Sequence, residues 1–236
     1  MTTSHYVLTP PATPSLPVQG SAQRFPVNRI FCVGRNYHAH AIEMGRPVDK
    51  DKAKPFYFTK ASSTLVESGA TVPYPCATQN YHYEMELVVA IGARGFRVKE
   101  ADAAALIYGY GAGLDMTRRD LQLVARETGR PWDLGKDFEK SAVCSEIVPK
   151  GMLGVLKSGS IELEVNGQTR QRGDLNQLIW AIPELLADLS QFYHLEPGDL
   201  IYTGTPEGVG AVQSGDKITG HVEHVGDVAL TIGSAE

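Results

Sequence analysis

The sequence predicts an α+β fold in which strands outnumber helices. Short apolar runs separated by Gly and Pro turns recur from residue 55 onward, and this pattern is typical of strands. Few segments have helical periodicity, and their order is irregular, which argues against a regular βαβ repeat. At 236 residues, the chain could form one large domain or two small ones.

The individual elements follow from hydrophobic periodicity and from stop signals. Strands are expected at residues 29–33, 55–59, 84–91, 161–165, 199–203 and 228–232, with a Gly-rich strand ending at Asp115. Helices are expected at residues 36–44, 101–106, 120–128 (after a Thr117 cap) and 183–193 (with Phe192 on the apolar face). The Pro-rich N-terminal segment predicts an extended arm or short hairpin outside the core, so we divide the chain into residues 1–27 and 28–236. The charged segment 46–54 has no periodicity and predicts a mobile loop.

Composition and charge argue against nucleic-acid-binding, disulfide-bonded and membrane proteins. The net charge is −5 and the basic residues are scattered, which argues against a nucleic-acid-binding face. The three cysteines Cys32, Cys76 and Cys144 form no CxxC motif, as expected for free thiols in a reducing compartment. No apolar stretch approaches the roughly 20 residues of a membrane span, and the N-terminus lacks signal-peptide features. We therefore expect a soluble, cytoplasmic protein without a membrane partner.

Glu84 and Glu86 are the most informative residues, because they alternate within the apolar run 83–91. Alternate strand residues share a face, and two buried carboxylates on one face repel each other. Asp115, at the end of the Gly-rich strand, is the best third ligand for a cation that would neutralise them. An all-carboxylate site suits Mg²⁺, Mn²⁺ or Ca²⁺ better than Zn²⁺. The alternative is a solvent-facing edge strand, with Asp115 capping the next helix.

A second group lies in the predicted helix 36–44, where His40 and Glu43 are three residues apart and share a face. A carboxylate that orients an imidazole creates a general base able to activate water. A surface His–Glu pair explains the spacing equally well. A His38-x-His40 zinc site is a further option, although no cysteine lies nearby to support it.

Two more segments could contact a ligand. Lys136 lies between Trp132 and Phe138, where it could bind a carboxylate or enolate, although an exposed loop lysine is the ordinary case. Arg118, Arg119 and Gln122 could line the same pocket, with one arginine facing solvent. The Gly-rich stretch 202–210 offers the Thr205 hydroxyl and backbone amides to an anion, or it is simply a β-turn.

Taken in order, these segments resemble the fumarylacetoacetate hydrolase family over residues 28–232. The segments that carry the resemblance are Cys-Val-Gly-Arg-Asn-Tyr (32–37) with His40 and Glu43, Phe-Tyr-Phe-Thr-Lys (56–60), Tyr-Glu-Met-Glu-Leu (83–87), residues 114–122, Pro-Trp-Asp-Leu-Gly-Lys (131–136), residues 166–171 and residues 203–210. Ala61 and the stretch 142–146 depart from the family pattern. These departures concern the pocket rim and therefore the substrate preference.

The resemblance implies a mixed β-roll with peripheral helices, usually a homodimer. It implies metal ligands at Glu84, Glu86 and Asp115 for Mg²⁺ or Mn²⁺, and a water-activating dyad at His40 and Glu43. It also implies Lys136 beside the substrate and a lid at residues 46–54. The remaining expected substrate-binding residues are Arg35, Tyr37, Arg119, Gln122 and Thr205.

The expected reaction is metal-dependent hydrolysis of a C–C bond in an acylpyruvate, a 2,4-dioxo acid. Arg118-Arg119 and residues 173–180 resemble the family members that convert fumarylpyruvate to fumarate and pyruvate in gentisate breakdown. One alternative is a family decarboxylase or isomerase acting on oxaloacetate or a ring-cleavage product. Another is a metal-stabilised binding module without catalysis.

Overall fold

The structure is a computed structural model that describes residues 5–235, so the first four residues of the predicted arm lie outside it. The strands, numbered along the chain, are β1 Ser15–Pro17, β2 Arg24–Pro26, β3 Ile30–Gly34, β4 Phe56–Lys60, β5 Leu65–Glu67, β6 Ala70–Tyr74, β7 Tyr81–Tyr83, β8 Met85–Ile91, β9 Ile107–Asp115, β10 Thr117–Arg118, β11 Ala142–Cys144, β12 Val148–Pro149, β13 Ser160–Val165, β14 Gln168–Asp174, β15 Leu200–Tyr202, β16 Gly210–Val212, β17 Lys217–Val222 and β18 Gly226–Ala235. The α-helices are α1 His38–Glu43, α2 Glu100–Ala103, α3 Arg119–Thr128, α4 Asp133–Lys136, α5 Lys150–Leu153 and α6 Ile182–Leu189. Short 3₁₀ turns cover Ser62–Thr64, Ala104–Leu106 and Leu175–Gln177.

The largest sheet positions the site. Its strand order is β4-β3-β15-β8-β9-β11-β5, with β12 also paired to β9. The pairs β3–β15 and β5–β11 are parallel and the others are antiparallel, so the sheet is mixed. β8 is central and buried on both faces: Leu87 and Val89 belong to one core cluster, and Val88 and Ala90 to another. The predicted α+β class is confirmed.

A second sheet has the order β14-β13-β17-β18-β6 and packs against the first. Its inward residues Ile161, Leu163 and Leu230 join Leu87 and Val89 in the main core cluster. The third sheet, β10-β7-β16, lies where β8 begins and β9 ends, and it therefore borders the carboxylates. Within residues 5–235, no helix is both long enough and apolar enough to cross a membrane.

The N-terminal segment differs from the sequence prediction. β1 and β2 form an antiparallel hairpin, in agreement with one of the two options. However, Leu16, Val18 and Phe25 are buried in the second core cluster, together with Val88 of the central strand. The prediction that this segment lies outside the core is wrong for these three residues. Alternating apolar residues between prolines give a hairpin enough buried surface to pack.

The helices lie where the sequence predicts them, but not all of them begin and end at the predicted residues. α3 ends at Gly129, whose φ of 67° supplies the predicted left-handed stop. Its N-cap is Arg118, whereas Thr117 lies in β10 and does not cap the helix. α6 ends at Leu189, so Phe192 is 69% exposed and lies off the predicted apolar face.

Two short segments, α4 and residues 46–54, lack a clear periodicity in the sequence. α4 was not predicted, because its four residues include Gly135 and are too few to show a helical period. Residues 46–54 form turns and irregular backbone without a helix or strand, as expected for a loop. The mobility of this loop stays a prediction.

Candidate functional site

Strand register brings three carboxylates together. Glu84 directly precedes β8, and the backbone N–H of Asp115 donates to the Glu84 carbonyl at 2.9 Å. Glu86 lies opposite Gly113 on the neighbouring strand β9. Residues opposite each other on antiparallel strands project to the same face, so Asp115 joins the face of Glu84 and Glu86. Their carboxylate oxygens lie within 4.8 Å of one another, and all three residues are buried. The solvent-facing alternative is therefore wrong.

Three cations surround two of these carboxylates. Lys136 Nζ donates to Glu84 Oε2 at 2.7 Å and to Asp115 Oδ2 at 2.6 Å. Lys60 Nζ lies 2.9 Å from Asp115 Oδ1, and Arg119 binds the second oxygen of Glu84. Burial disfavours the charge on Lys136, but Asp115 and Glu84 outweigh it and raise its pKa. Lys136 is 2% exposed, so it is not the surface lysine of the alternative interpretation.

Glu86 is the carboxylate that lacks a cation. Its Oε2 accepts a hydrogen bond of 2.7 Å from the Gly204 N–H, and no ion pair reaches it from residues 5–235. Burial raises its pKa well above the usual range, and repulsion from Asp115 and Glu84 adds to the effect. An oxygen-only donor set with one uncompensated carboxylate fits a hard divalent cation. The described residues contain no other His, Cys, Asp or Glu group spaced for a metal, so His38-x-His40 gains no support as a zinc site.

The His–Glu pair forms as the helical spacing predicts. His40 Nδ1 lies 3.1 Å from Glu43 Oε2, and the other Glu43 oxygen accepts a 3.1 Å hydrogen bond from the Gly208 N–H. Burial favours the neutral acid, but the hydrogen bonds from His40 and Gly208 outweigh it and lower the pKa of Glu43. Because an ionised carboxylate can only accept, Nδ1 carries the proton and Nε2 is left as the basic nitrogen.

A cavity of about 330 Å³ connects these groups. His40, Glu84, Glu86 and Lys136 line it, so the imidazole and two of the three carboxylates face the same space. Its size falls at the lower end of the roughly 300–1,000 Å³ typical of ligand sites. The other lining residues are Val33, Gly34, Arg35, Met44, Arg46, Phe56, Phe58, Arg119, Gln122, Ala125, Arg126, Gly129, Arg130, Trp132 and Thr205.

The predicted substrate-binding residues divide into two groups. Arg35, Arg119, Gln122 and Thr205 all line the cavity. Tyr37 does not: its side chain is buried in the main core cluster, and its hydroxyl has no hydrogen-bond partner among the described residues. Burial raises the pKa of Tyr37, and Glu86 adds to the effect.

Both arginines of the 118–119 pair are buried, which corrects the prediction that one of them faces solvent. Arg118 lies with its guanidinium carbon 4.2 Å from the centre of the Phe138 ring and does not line the cavity. Arg119 instead bridges Glu84 and the Gln122 side chain. Its Nε also lies 3.4 Å from His82 Nδ1. Burial, with the charge of Arg119 beside it, lowers the pKa of His82 to about 4, so the ring is neutral and can accept.

Two kinds of contact were missed at the sequence level. Lys60 falls in the segment 56–60 of the family resemblance, and no sequence pattern predicts its contact with Asp115. Its Nζ also donates to the Met116 carbonyl at 3.2 Å and to Ser141 Oγ at 2.9 Å, which fixes it beneath the carboxylates. The stretch 202–210 was interpreted as an anion-binding loop or a β-turn, and its Gly204 and Gly208 amides donate to the carboxylates of Glu86 and Glu43.

Comparisons with known proteins agree with this geometry. Residues 29–233 match the family described as fumarylacetoacetate (FAA) hydrolase C-terminal. A fumarylpyruvate hydrolase from a Ralstonia species is 67% identical over 194 residues, covering 82% of this chain and 100% of the relative. A mitochondrial oxaloacetate tautomerase of Arabidopsis thaliana is 39% identical, covering 86% and 90% of the two chains.

Among solved structures, the fumarylpyruvate hydrolase of Pseudomonas aeruginosa in complex with Mn²⁺ and pyruvate superposes with a TM-score of 0.93. It is 45% identical and covers 98% of this chain and 100% of its own. The sheet arrangement predicted from the family resemblance is therefore confirmed. The matched residues span all three carboxylates, both members of the dyad and the buried lysines, and the chain belongs to the fumarylacetoacetate hydrolase family.

Proposed function

We propose that this protein is a metal-dependent hydrolase that cleaves the C–C bond of an acylpyruvate, with fumarylpyruvate as substrate and fumarate and pyruvate as products. The observation that carries the proposal is one cavity lined by both His40 and the Glu84–Glu86 carboxylates. A base beside a cation site is what hydrolysis requires. The 67% identity to a fumarylpyruvate hydrolase supports the choice of acyl group.

The donor set supports Mg²⁺ or Mn²⁺, held by Glu84, Glu86 and Asp115. When bound, either ion supplies Lewis-acid chemistry toward the oxygens of a 2-oxo acid. Lys136 and Lys60 hold the Glu84 and Asp115 carboxylates in place through the contacts given above. The Gly204 amide holds Glu86 in the same way.

His40 is the proposed general base. Its Nε2 takes a proton from water, while Glu43 fixes the ring and stabilises the imidazolium that results. The hydroxide adds to the carbonyl carbon of the acyl group, and the bond from that carbon to the pyruvate CH₂ breaks. The acyl carbon becomes a carboxylic acid, and the electron pair leaves with the three-carbon fragment as an enolate.

The enolate needs positive charge nearby and then a proton. Lys136 and Arg119 are cations at the cavity wall next to the carboxylates, so they stabilise negative charge that develops there. The proton that His40 took from water returns to the CH₂ carbon of the fragment. One water is consumed, and the products are pyruvate and the acid.

Further parts of the proposal concern the assembly and its setting. We propose residues 28–236 as the catalytic domain, a homodimeric assembly, a cytoplasmic location and Tyr37 as a residue that supports the site from the core. The family resemblance supports the dimer, and the three free cysteines support a reducing compartment.

The test of the reaction is pyruvate release from fumarylpyruvate with Mg²⁺ or Mn²⁺. His40→Ala is expected to lower kcat by about 10²- to 10⁴-fold, the usual contribution of a general base. His38→Ala is the matched control, because His38 lies on the same helix and is exposed. Thermal stabilisation by Mn²⁺ should be retained in both variants.

Oxaloacetate provides the competing assay, since more distant relatives are oxaloacetate tautomerases. A wild-type protein that leaves fumarylpyruvate intact but converts oxaloacetate would refute the proposed hydrolase. Unchanged fumarylpyruvate turnover in His40→Ala would refute the role of the dyad.

A further inference from the structure

The cavity has a basic end that the proposed chemistry does not use. Arg35, Arg46 and Arg126 line it, and we call these three residues the arginine cluster. They come from three places in the chain: before α1, after α1 and near the end of α3. None of the three forms an ion pair within residues 5–235, in contrast to Arg119 beside Glu84.

Most of the hydrogen-bond donors in the cluster are unused. Arg126 donates from Nη1 to the Met44 carbonyl at 3.2 Å, while its buried Nε has no partner among the described residues. The Arg35 guanidinium carbon lies 5.7 Å from the centre of the Phe56 ring, and its N–H groups have no hydrogen bond or ion pair within residues 5–235. A position near the C-terminus of α3 explains one stabilising contact of Arg126. It does not explain why Arg35, Arg46 and Arg130 also line the cavity.

Arg46 and Arg126 both lie close enough to Arg35 for their charges to act on its guanidinium group. Burial lowers the pKa of Arg35, and the charges of Arg46 and Arg126 lower it further. Like charges beside a cavity are disfavoured unless an anion neutralises them. The acidic residues on the cavity wall are Glu84 and Glu86, which belong to the cation site.

The rise of helix α3 gives the distance along the cavity from the cation site to the arginine cluster. Arg119 contacts Glu84 at the start of this helix, and Arg126 lies seven residues, about 10 Å, further along it. Positions 119, 122 and 126 fall on one helical face, and all three residues line the cavity. Phe56, Phe58 and Trp132 supply an aromatic wall to the same cavity.

We propose that the arginine cluster binds a second carboxylate, at the acyl end of the substrate, and so selects acylpyruvates whose acyl group is itself an acid. The inference rests on the proposed hydrolase function. An extended chain advances about 3.5 Å per three bonds, so the six bonds between the terminal carboxyl carbons of fumarylpyruvate span about 7 Å. That length plus a hydrogen bond of about 3 Å matches the separation along α3.

The test compares fumarylpyruvate with acetylpyruvate, which lacks the second carboxylate. Arg126→Gln is expected to raise KM for fumarylpyruvate about 10- to 100-fold, as expected when a charged hydrogen-bond donor is lost. KM for acetylpyruvate should stay within twofold of wild type. Arg94→Gln is the control, because Arg94 is exposed and pairs with Glu196 away from the cavity. Arg46→Gln is a second variant at an exposed residue, and it keeps the inference testable if Arg126→Gln misfolds.

A binding measurement separates this inference from the proposed reaction. The affinity for fumarate, measured by calorimetry, should fall in Arg126→Gln and Arg46→Gln but not in Arg94→Gln. Fumarate binding that depends on the cluster, in a protein that hydrolyses neither acylpyruvate, would support the cluster and refute the hydrolase. Equal loss for both acylpyruvates, or fumarate affinity that is unchanged in both cluster variants, would overturn the inference.

Discussion

At the scale of single residues, Glu84 and Glu86 differ although they lie two positions apart. Glu84 has Lys136 and Arg119 as partners, whereas Glu86 has only the Gly204 amide. Burial would raise the pKa of Glu84, but Lys136 and Arg119 lower it below the usual range; the pKa of Glu86 is raised. The apoprotein therefore holds Glu86 as an uncompensated carboxyl group whose ionised form is disfavoured, and a bound cation would favour that form.

We expect opposite effects from neutralising the two residues in metal-free protein. Glu84→Gln leaves two buried cations with a weaker partner and should destabilise the fold by about 3–5 kcal/mol. Glu86→Gln replaces the uncompensated carboxyl group with a neutral amide, keeps an acceptor for the Gly204 N–H and should not lower the unfolding free energy. Urea unfolding in chelator measures both.

Adding Mn²⁺ completes this comparison. At 100 times its dissociation constant, a ligand of the native state stabilises it by about 2.7 kcal/mol. Wild type should gain this amount, and Glu86→Gln should gain much less. Destabilisation of metal-free Glu86→Gln to the same extent as Glu84→Gln would contradict the assignment of Glu86 as the uncompensated ligand.

At the scale of elements, the pairing of β8 with β9 places the carboxylates, and glycines in β9 permit that pairing. A Cβ on Gly113, opposite Glu86, would lie 2.5 Å from Val88 Cγ2 and 2.8 Å from Tyr202 Cε1. Real side-chain atoms do not approach so closely in packed cores. The absence of a side chain at Gly113 therefore lets Val88 and Tyr202 pack over β9.

Gly113→Ala should destabilise the protein by about 1–3 kcal/mol through overpacking. It should also weaken Mn²⁺ binding, because Glu86 lies opposite the crowded position and Asp115 lies two residues further along the same strand. Gly151→Ala in α5 is the control, since a Cβ there meets nothing within 4 Å, and it should be neutral or stabilising by up to about 1 kcal/mol. Thermal unfolding with and without Mn²⁺ distinguishes the two variants. Equal stability of both would show that the contact at Gly113 relaxes freely.

At the scale of the whole molecule, the N-terminal hairpin is part of the packed structure. Leu16 is fully buried, and it shares a cluster with Val88 of the central strand β8. The hairpin thus covers one face of the sheet whose strand β8 borders the carboxylates. A detachable arm would have no such contacts.

Leu16→Ala should lower the free energy of global unfolding by about 2–5 kcal/mol, as expected for a truncated core leucine. Leu8→Ala should change it by less than about 0.5 kcal/mol, because Leu8 is 80% exposed. A single cooperative transition with the lower midpoint would place the hairpin in the same folding unit as the sheet. Wild-type stability of Leu16→Ala would instead support the predicted arm outside the core.

Strand alternation and helical spacing in the sequence predicted the carboxylates and the His–Glu pair of the site. Glu84, Glu86 and Asp115 were found because strand alternation and strand ends are local features, and His40 and Glu43 because they lie one helical turn apart. Lys60 was not predicted to reach Asp115, since contacts between residues 55 positions apart leave no local pattern. α4 was too short for its periodicity to be seen. Donors on the backbone, such as the Gly204 N–H, are not specified by side-chain identity.

The two amides of the stretch 202–210 have a consequence for how this enzyme is dissected by mutagenesis. Gly204 orients a carboxylate at the cation site, and Gly208 orients the carboxylate behind the imidazole. Alanine scanning retains both N–H groups, so it reports on crowding and on left-handed backbone, with φ of 103° and 91° at these positions. The contribution of these two hydrogen bonds to activity can be measured only when the N–H itself is replaced, for instance by an ester linkage made by protein semisynthesis.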